Sequence, residues 1–180
     1  MRVIAFDVSA DFARFRRFYS TTSPLTHAFP PPSAVRGLIG AILGLKREIY
    51  PVQLSLDNCQ VGISLLTPIR KIHLGLNYLD TKDGAWIKLS KDTINGRLLP
   101  KPPRRGLHTQ IRVEFLCSSQ FRIYFHHQDL ALMDTLSQHL QAGTCLYTPY
   151  LGSAECLAQR QFCWDEELEP FSEVECLDSV

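Results

Sequence analysis

Apolar and polar residues alternate from Arg2 to Val8, with Ile4, Phe6 and Val8 on one side, and this period of two predicts an opening β-strand. The next stretch, Asp11-Phe-Ala-Arg14-Phe-Arg-Arg17-Phe-Tyr19, interleaves four aromatic rings with three arginines. It has two readings. It is an amphipathic strand that buries its phenylalanines, or a surface that offers stacking faces and phosphate partners to single-stranded nucleic acid. A polar loop leads to Phe29-Pro-Pro-Pro-Ser33-Ala-Val-Arg36-Gly37-Leu-Ile-Gly40-Ala-Ile-Leu-Gly44-Leu45. Three prolines make a stiff, extended approach, and Ser33 is the expected N-cap of a helix over residues 34–45. Val35, Leu38, Ile39, Ile42 and Leu43 give that helix a wide apolar face. Gly37, Ala41 and Gly44 form a stripe at i, i+4, i+7, which costs about 1 kcal/mol per glycine relative to alanine. Such a stripe implies close approach of another backbone, with the sheet as its expected neighbour. Arg36 opposes the helix dipole in the first turn. It is a surface charge on a packing helix, or part of an anion site with the exposed N–H groups.

Val61, Ile63 and Leu65 alternate within a second strand over residues 58–66. From Thr67 to Gln110 the apolar groups are short and separated by prolines and glycines. A structureless run of that length is uncommon in a compact domain, so it reads as a protruding hairpin arm. Its returning limb, Lys101-Pro-Pro-Arg104-Arg105-Gly-Leu-His108-Thr-Gln110, is basic: a limb pressed against nucleic acid, or a solvated loop with incidental arginines. Two β segments, 112–116 and 121–125, follow around a turn at residues 117–120. Asp129 then caps a helix whose inner side is Leu130, Met133, Leu136 or Ser137, and Leu140, and Gly143 ends it. Residues 149–153 form a turn, and 155–158 with 162–164 make the last strand or hairpin. The order β-α-β, arm, β(β)-α-β predicts an α+β protein. Its expected form is ferredoxin-like: an antiparallel sheet with two helices on one face, from which the hairpin arm protrudes. The domain comprises residues 1–66 and 111–165, the arm 67–110, and an acidic tail 166–180.

Composition changes this picture little. The 180 residues are 45% hydrophobic and 21% charged, and the net charge of +1 gives no overall basic field. The distribution says more. Arginines cluster in the first fifth and again between Arg97 and Arg112, whereas the segment from Asp165 to Asp178 is acidic and holds no lysine or arginine. Two basic patches and an acidic tail suit a local anionic partner. Six cysteines (Cys59, Cys117, Cys145, Cys156, Cys163 and Cys176) show neither Cys-x-x-Cys nor zinc-finger spacing. With no signal peptide and no apolar run of membrane-spanning length, the expectation is a cytoplasmic protein with reduced thiols, away from membranes, carrying no metal or cofactor.

The proline block closely resembles the N-terminal signature of the Cas five family of CRISPR-associated proteins, RAMP subunits of type I Cascade complexes. Asp11-Phe-Ala-Arg14-Phe-Arg16, His108-Thr-Gln110 running into Val113-Glu-Phe-Leu116, and Tyr150-Leu151-Gly152-Ser153-Ala-Glu155-Cys-Leu-Ala158 fit the same family. The form of the block is most similar to type I-B members, including those of CRISPR-associated transposons. The resemblance implies an RNA-binding, non-catalytic subunit that caps the 5′ handle of the guide crRNA in a ribonucleoprotein complex, in antiviral defence or RNA-guided transposition. Its implied partners are the guide, the repeating backbone subunit and the large subunit, with target DNA reached indirectly. The arm corresponds to the family's thumb, and Leu151-Gly152-Ser153 to its glycine-containing loop.

The RNA-binding candidates are therefore Arg14, Arg16, Arg17, Ser33 and Arg36 for handle phosphates. Arg70, Lys71, Lys101, Arg104, Arg105, His108 and Gln110 lie on or beside the arm, and Leu151, Gly152 and Ser153 in the loop. One branch of the family cuts repeat RNA without metal, using a Tyr/Lys/His set. The corresponding chemistry needs a base near the 2′-OH and an acid for the leaving oxygen. Tyr50, Lys101 and His108 are the candidates for that alternative, whereas the adjacent pair His126-His127 ends a strand and reads as structural.

Overall fold

The structure is a computed structural model that describes residues 1–17, 25–79, 89–94, 97–100 and 108–169, with side chains at 1–17, 25–78 and 110–169. The first strand, β1 (Arg2–Ala13), runs antiparallel to β6 (His108–His127) on one side and β7 (Gln159–Glu167) on the other. Beyond β6 lies β2 (Cys59–Leu65), so the order is β2-β6-β1-β7. β3 (Lys71–Leu79) pairs with the early half of β6, from Lys71↔Leu116 to Leu79↔His108. Two short strands, β4 (Leu89–Ile94) and β5 (Arg97–Pro100), form a separate ladder.

The alternation read from sequence sets the register. Phe6 sits across from Ile123 and Val8 across from Phe121, while Ile63 meets Ile123 from the other side. Those side chains share one core with two helices, α1 (Pro32–Leu43) and α3 (Leu130–Gln141). α1 supplies Val35, Leu38, Ile39 and Ile42; α3 supplies Met133, Leu136 and Leu140. Each such side chain contributes about 1.5–3 kcal/mol on burial. A single helical turn, α2 (Tyr50–Gln53), bridges α1 and β2.

Several expectations are corrected. α1 starts one residue before Ser33, with Pro31 as the capping residue and no side-chain cap bond. Pro31 instead accepts from Ala34 and Val35 through its carbonyl. Pro32, preset for helical φ and lacking an N–H, leaves less to cap. The turn at 117–120 is absent: β6 continues through it, with Ser118 at φ 50°. Asp11 and Ser118 stand unpaired between Ala10↔Ser119 and Phe12↔Cys117, and the register is the same on both sides. Side chains nevertheless change phase there. Leu116 joins the main core with Phe121, and Val113 and Phe115 form a second cluster with Cys156. Residues 155–158 are not a strand; a lone bridge joins Tyr150 to Leu157, and β7 begins at Gln159.

α3 follows expectation at its cap, its end and its inner residues Met133, Leu136, Ser137 and Leu140, but Leu130, expected inside, is 60% exposed, since the first turn projects beyond the core. The Asp129 carboxylate accepts from the amides of Ala131 and Leu132. At its other end Gly143 and Thr144 donate to Leu140 and His139, the paired bonds of a Schellman turn. Among the described residues every cysteine is free, Cys59 and Cys156 being buried, and no helix is long and apolar enough to cross a membrane.

Candidate nucleic-acid interface

Three segments far apart in sequence converge on one cleft of about 1140 Å³. Arg14 and Arg16 come from the end of β1, and Ser33 with Gly37, Gly40 and Ala41 from the back of α1. Gly152 and Ser153 come from the loop before β7. Lys46, Arg47 and Tyr50 line it from the segment after α1, and Tyr147 and Tyr150 from the stretch that leads into the loop. Among the described residues, Arg16, Lys46 and Arg47 bring cations to it against one acid, Glu48, while Arg14 lines it with its guanidinium turned to β3. Gly37 and Ala41 of the small-residue stripe, with Gly40 beside them, are turned toward this cleft and not toward the sheet, whereas Gly44 ends the helix against Leu146. A Cβ on Gly37 would meet nothing within 4 Å, and one on Gly40 would press on Tyr50 at 3.2 Å.

The 149–158 loop is fastened by its own backbone. Leu151 donates to Cys156 at 2.8 Å, Cys156 to Ser153 at 2.9 Å and Ala158 to Pro149 at 3.0 Å. Arg14 donates to the Leu151 carbonyl at 3.0 Å, which docks the loop on β1. Gly152, at φ 85°, lies with its Cα against the Arg14 carbonyl, so a side chain there meets both backbone strain and a collision. Leu151 is buried in the main core. Burial pushes the Cys156 thiol up to about 11, so it stays protonated and serves as packing under the loop.

The arm is tied to the same corner. Arg14 is only 7% exposed. Its guanidinium donates to the Tyr78 hydroxyl of β3 at 3.1 Å and stands 5.9 Å from the Phe115 ring centre. Glu114 on β6 accepts from the Thr26 amide at 2.9 Å and from Lys71 at 3.1 Å. Burial pushes its carboxyl up, but the Thr26 amide and the Lys71 ammonium outweigh that, and it is held below the usual carboxylate range. The Thr26 hydroxyl in turn accepts from the Phe15 amide at 2.8 Å.

The remaining sequence candidates fall elsewhere. Arg36 does not line the cleft; it donates to the Leu54 carbonyl at 3.0 Å, closing the turn at α2. Arg17 is half-buried beside Arg16, and its amide donates to the Leu25 carbonyl. Arg70 is exposed at the base of the arm, where its carbonyl accepts from the Cys117 amide. Lys71 is engaged by Glu114. Gln110 is exposed on β6, and His108 pairs with Leu79 through the backbone. Lys101, Arg104 and Arg105 lie outside the described residues. Of the ribonuclease candidates, Tyr50 lines the cleft. Lys46, Arg47, Tyr147 and Tyr150 were not singled out by sequence reasoning. The signals for them were a basic pair after Gly44-Leu45, two tyrosines flanking Thr148-Pro149, and the place of Tyr150 at the head of the loop segment.

The sheet face turned away from the helices is different in kind. There Arg122 grips Asp7 with two bonds of 2.7 and 3.0 Å and holds its carboxyl below the usual range. Tyr124 and Trp164 stand 5.9 Å apart beside that pair.

The family model for CRISPR-associated protein (Cas5) matches residues 3–177. The chain belongs to this family. No curated protein matches it. Among solved structures, this Cas5 chain is similar to one in a "CRISPR RNA-guided surveillance complex". The TM-score is 0.61 at 13% identity, covering 87% of this chain and 60% of that one. A chain of the type III-B Cmr-beta complex bound to cognate target RNA and AMPPnP matches with TM-score 0.52 at 11% identity, covering 97% and 66%. A chain described as a CRISPR-associated protein matches with TM-score 0.51 at 14% identity, covering 91% and 69%. The present chain thus spans less than two thirds of the length of the first two. At these identities the likeness establishes a shared fold.

Proposed function

We propose that this Cas5-family chain is a non-catalytic, guide-RNA-binding subunit of a type I Cascade complex, most similar to type I-B members. It caps the 5′ handle of the crRNA and anchors the backbone and large subunits, in antiviral defence or RNA-guided transposition. The observation that carries this reading is the cleft itself. It gathers Arg14, Arg16, Ser33, Gly152 and Ser153, drawn from three of the segments by which the sequence resembles the family, together with the cations Lys46 and Arg47. Single-stranded RNA is recognised on splayed nucleotides by stacking and base-edge bonds, with cations on phosphates. The strand order β2-β6-β1-β7, with a helix crossing over in each half, supports the ferredoxin-like reading of residues 1–66 and 111–165. The antiparallel ladder of β3 on β6 supports residues 67–110 as the thumb; of the acidic tail expected at 166–180, Glu166 and Glu167 belong to β7, paired with Val3 and Arg2.

Co-expression with the neighbouring subunits and a repeat-containing guide, followed by purification and sequencing of the bound RNA, tests the proposal. Recovery of guide RNA protected at its 5′ end is expected. An assembled complex in which this chain crosslinks to no RNA would sink it. A second reading, metal-independent maturation of repeat RNA, is favoured by the presence of Tyr50 in the cationic cleft. Incubating the purified chain with labelled repeat RNA in EDTA decides between them: cleavage lost in Tyr50→Phe promotes the enzyme, and intact RNA dismisses it.

A further inference from the structure

We propose that the cleft takes unpaired RNA by its bases as well as its phosphates: Tyr147 and Tyr150 are the stacking platform, and Lys46 and Arg47 hold the strand beside it. This rests on the RNA-binding role just proposed and assigns to it residues outside the segment of β1 and the proline block. Tyr147 is 54% exposed and Tyr150 46%, although each has its backbone fixed. Tyr147 donates to the Ala41 carbonyl of α1 at 2.9 Å, and Tyr150 forms its bridge with Leu157. The backbones are fixed while the rings stand in water, so two flat apolar faces are offered at set positions on the cleft.

The other walls fit such a partner. Gly37, Gly40 and Ala41 of α1 carry almost no side chain into the cleft. Lys46 and Arg47 follow the left-handed end of that helix after Leu45, so they stand at the same wall as the bare backbone. The volume of about 1140 Å³ exceeds that of a usual small-molecule pocket. Every base has a π-face, so stacking tolerates sequence, and a duplex, whose faces are already covered, gains nothing from it.

Fluorescence anisotropy of the full chain tests this with three probes: a short labelled uridine homopolymer, an abasic oligomer of the same length, and an RNA duplex. Tyr147→Ala and Tyr150→Ala should each weaken the uridine probe about 5- to 100-fold. The corresponding Phe variants should restore it, and none should change abasic binding. Lys46→Ala and Arg47→Ala should weaken both single strands and lower the salt slope by about 0.7 each. Far-ultraviolet circular dichroism checks that each variant is folded. Uridine binding unchanged in both Tyr→Ala variants overturns the base platform and leaves the RNA-binding role intact. A native chain that binds none of the probes overturns both.

Discussion

α1 and α3 are both twelve residues long and both send apolar side chains into the same core, yet their outward faces have nothing in common. α3 shows water Asp134, Thr135, Gln138 and Gln141, and Asp134 pairs with Arg2 at 2.6 Å. α1 shows the cleft Ser33, Gly37, Gly40 and Ala41. Their starts differ in the same sense: a carboxylate caps α3, and prolines set the direction of α1 without a side-chain bond. A helix that only faces solvent gains from polar side chains there. One whose backbone forms the wall of a binding cleft keeps that side bare, at a cost of about 1 kcal/mol per glycine.

The contrast can be broken at several strengths. Ile39→Ala in α1 and Leu136→Ala in α3, both fully buried, should each lower stability by about 3 kcal/mol in urea unfolding. A large difference between them would mean that the two helices do not share one core equally. Asp129→Ala should cost about 1 kcal/mol by loss of its cap bonds, whereas Ser33→Ala should stay within about 0.5 kcal/mol. Equal losses would restore Ser33 as a cap. Gly37→Ala, with open space around the added methyl, should stabilise the chain by up to about 1 kcal/mol, seen as a raised urea midpoint with unchanged slope.

The smallest effect is expected with pH and belongs to the α3 side. Arg2 bonds the Asp165 carboxylate and holds it below the usual range. A depressed folded value gives stability that is complete above about pH 4 and is lost as pH falls further. Asp165→Asn should therefore shrink the loss of stability between about pH 6 and pH 3; an unchanged acid limb would show that the pair contributes little.

α3 was legible except at Leu130, which faces water in the first turn, because cap, inner stripe and terminating glycine are all local signals. The inner face of α1 was legible for the same reason, but its neighbour was not. A run of small residues announces that something comes close, and only tertiary structure shows that it is a cleft walled by Tyr147 and Tyr150. The turn expected at 117–120 rested on Ser118 and Ser119. Local turn preference lost to pairing with β1 on both sides of the unpaired residue. Arg36 looked like an anion ligand from its place in the first turn; the Leu54 carbonyl, eighteen residues away, claims it.

β6 has one more implication. Its residues 121–125 are zipped on both edges, by β1 and β2, while 108–115 are zipped to β3 alone. The strand is one unbroken ladder with two grades of protection, so fraying from the arm runs toward the core and stops near Ser118. Amide hydrogen exchange should therefore change abruptly within a single strand, slow beyond the kink and fast before it. Fraying of that kind leaves intact the part of the sheet that carries the core.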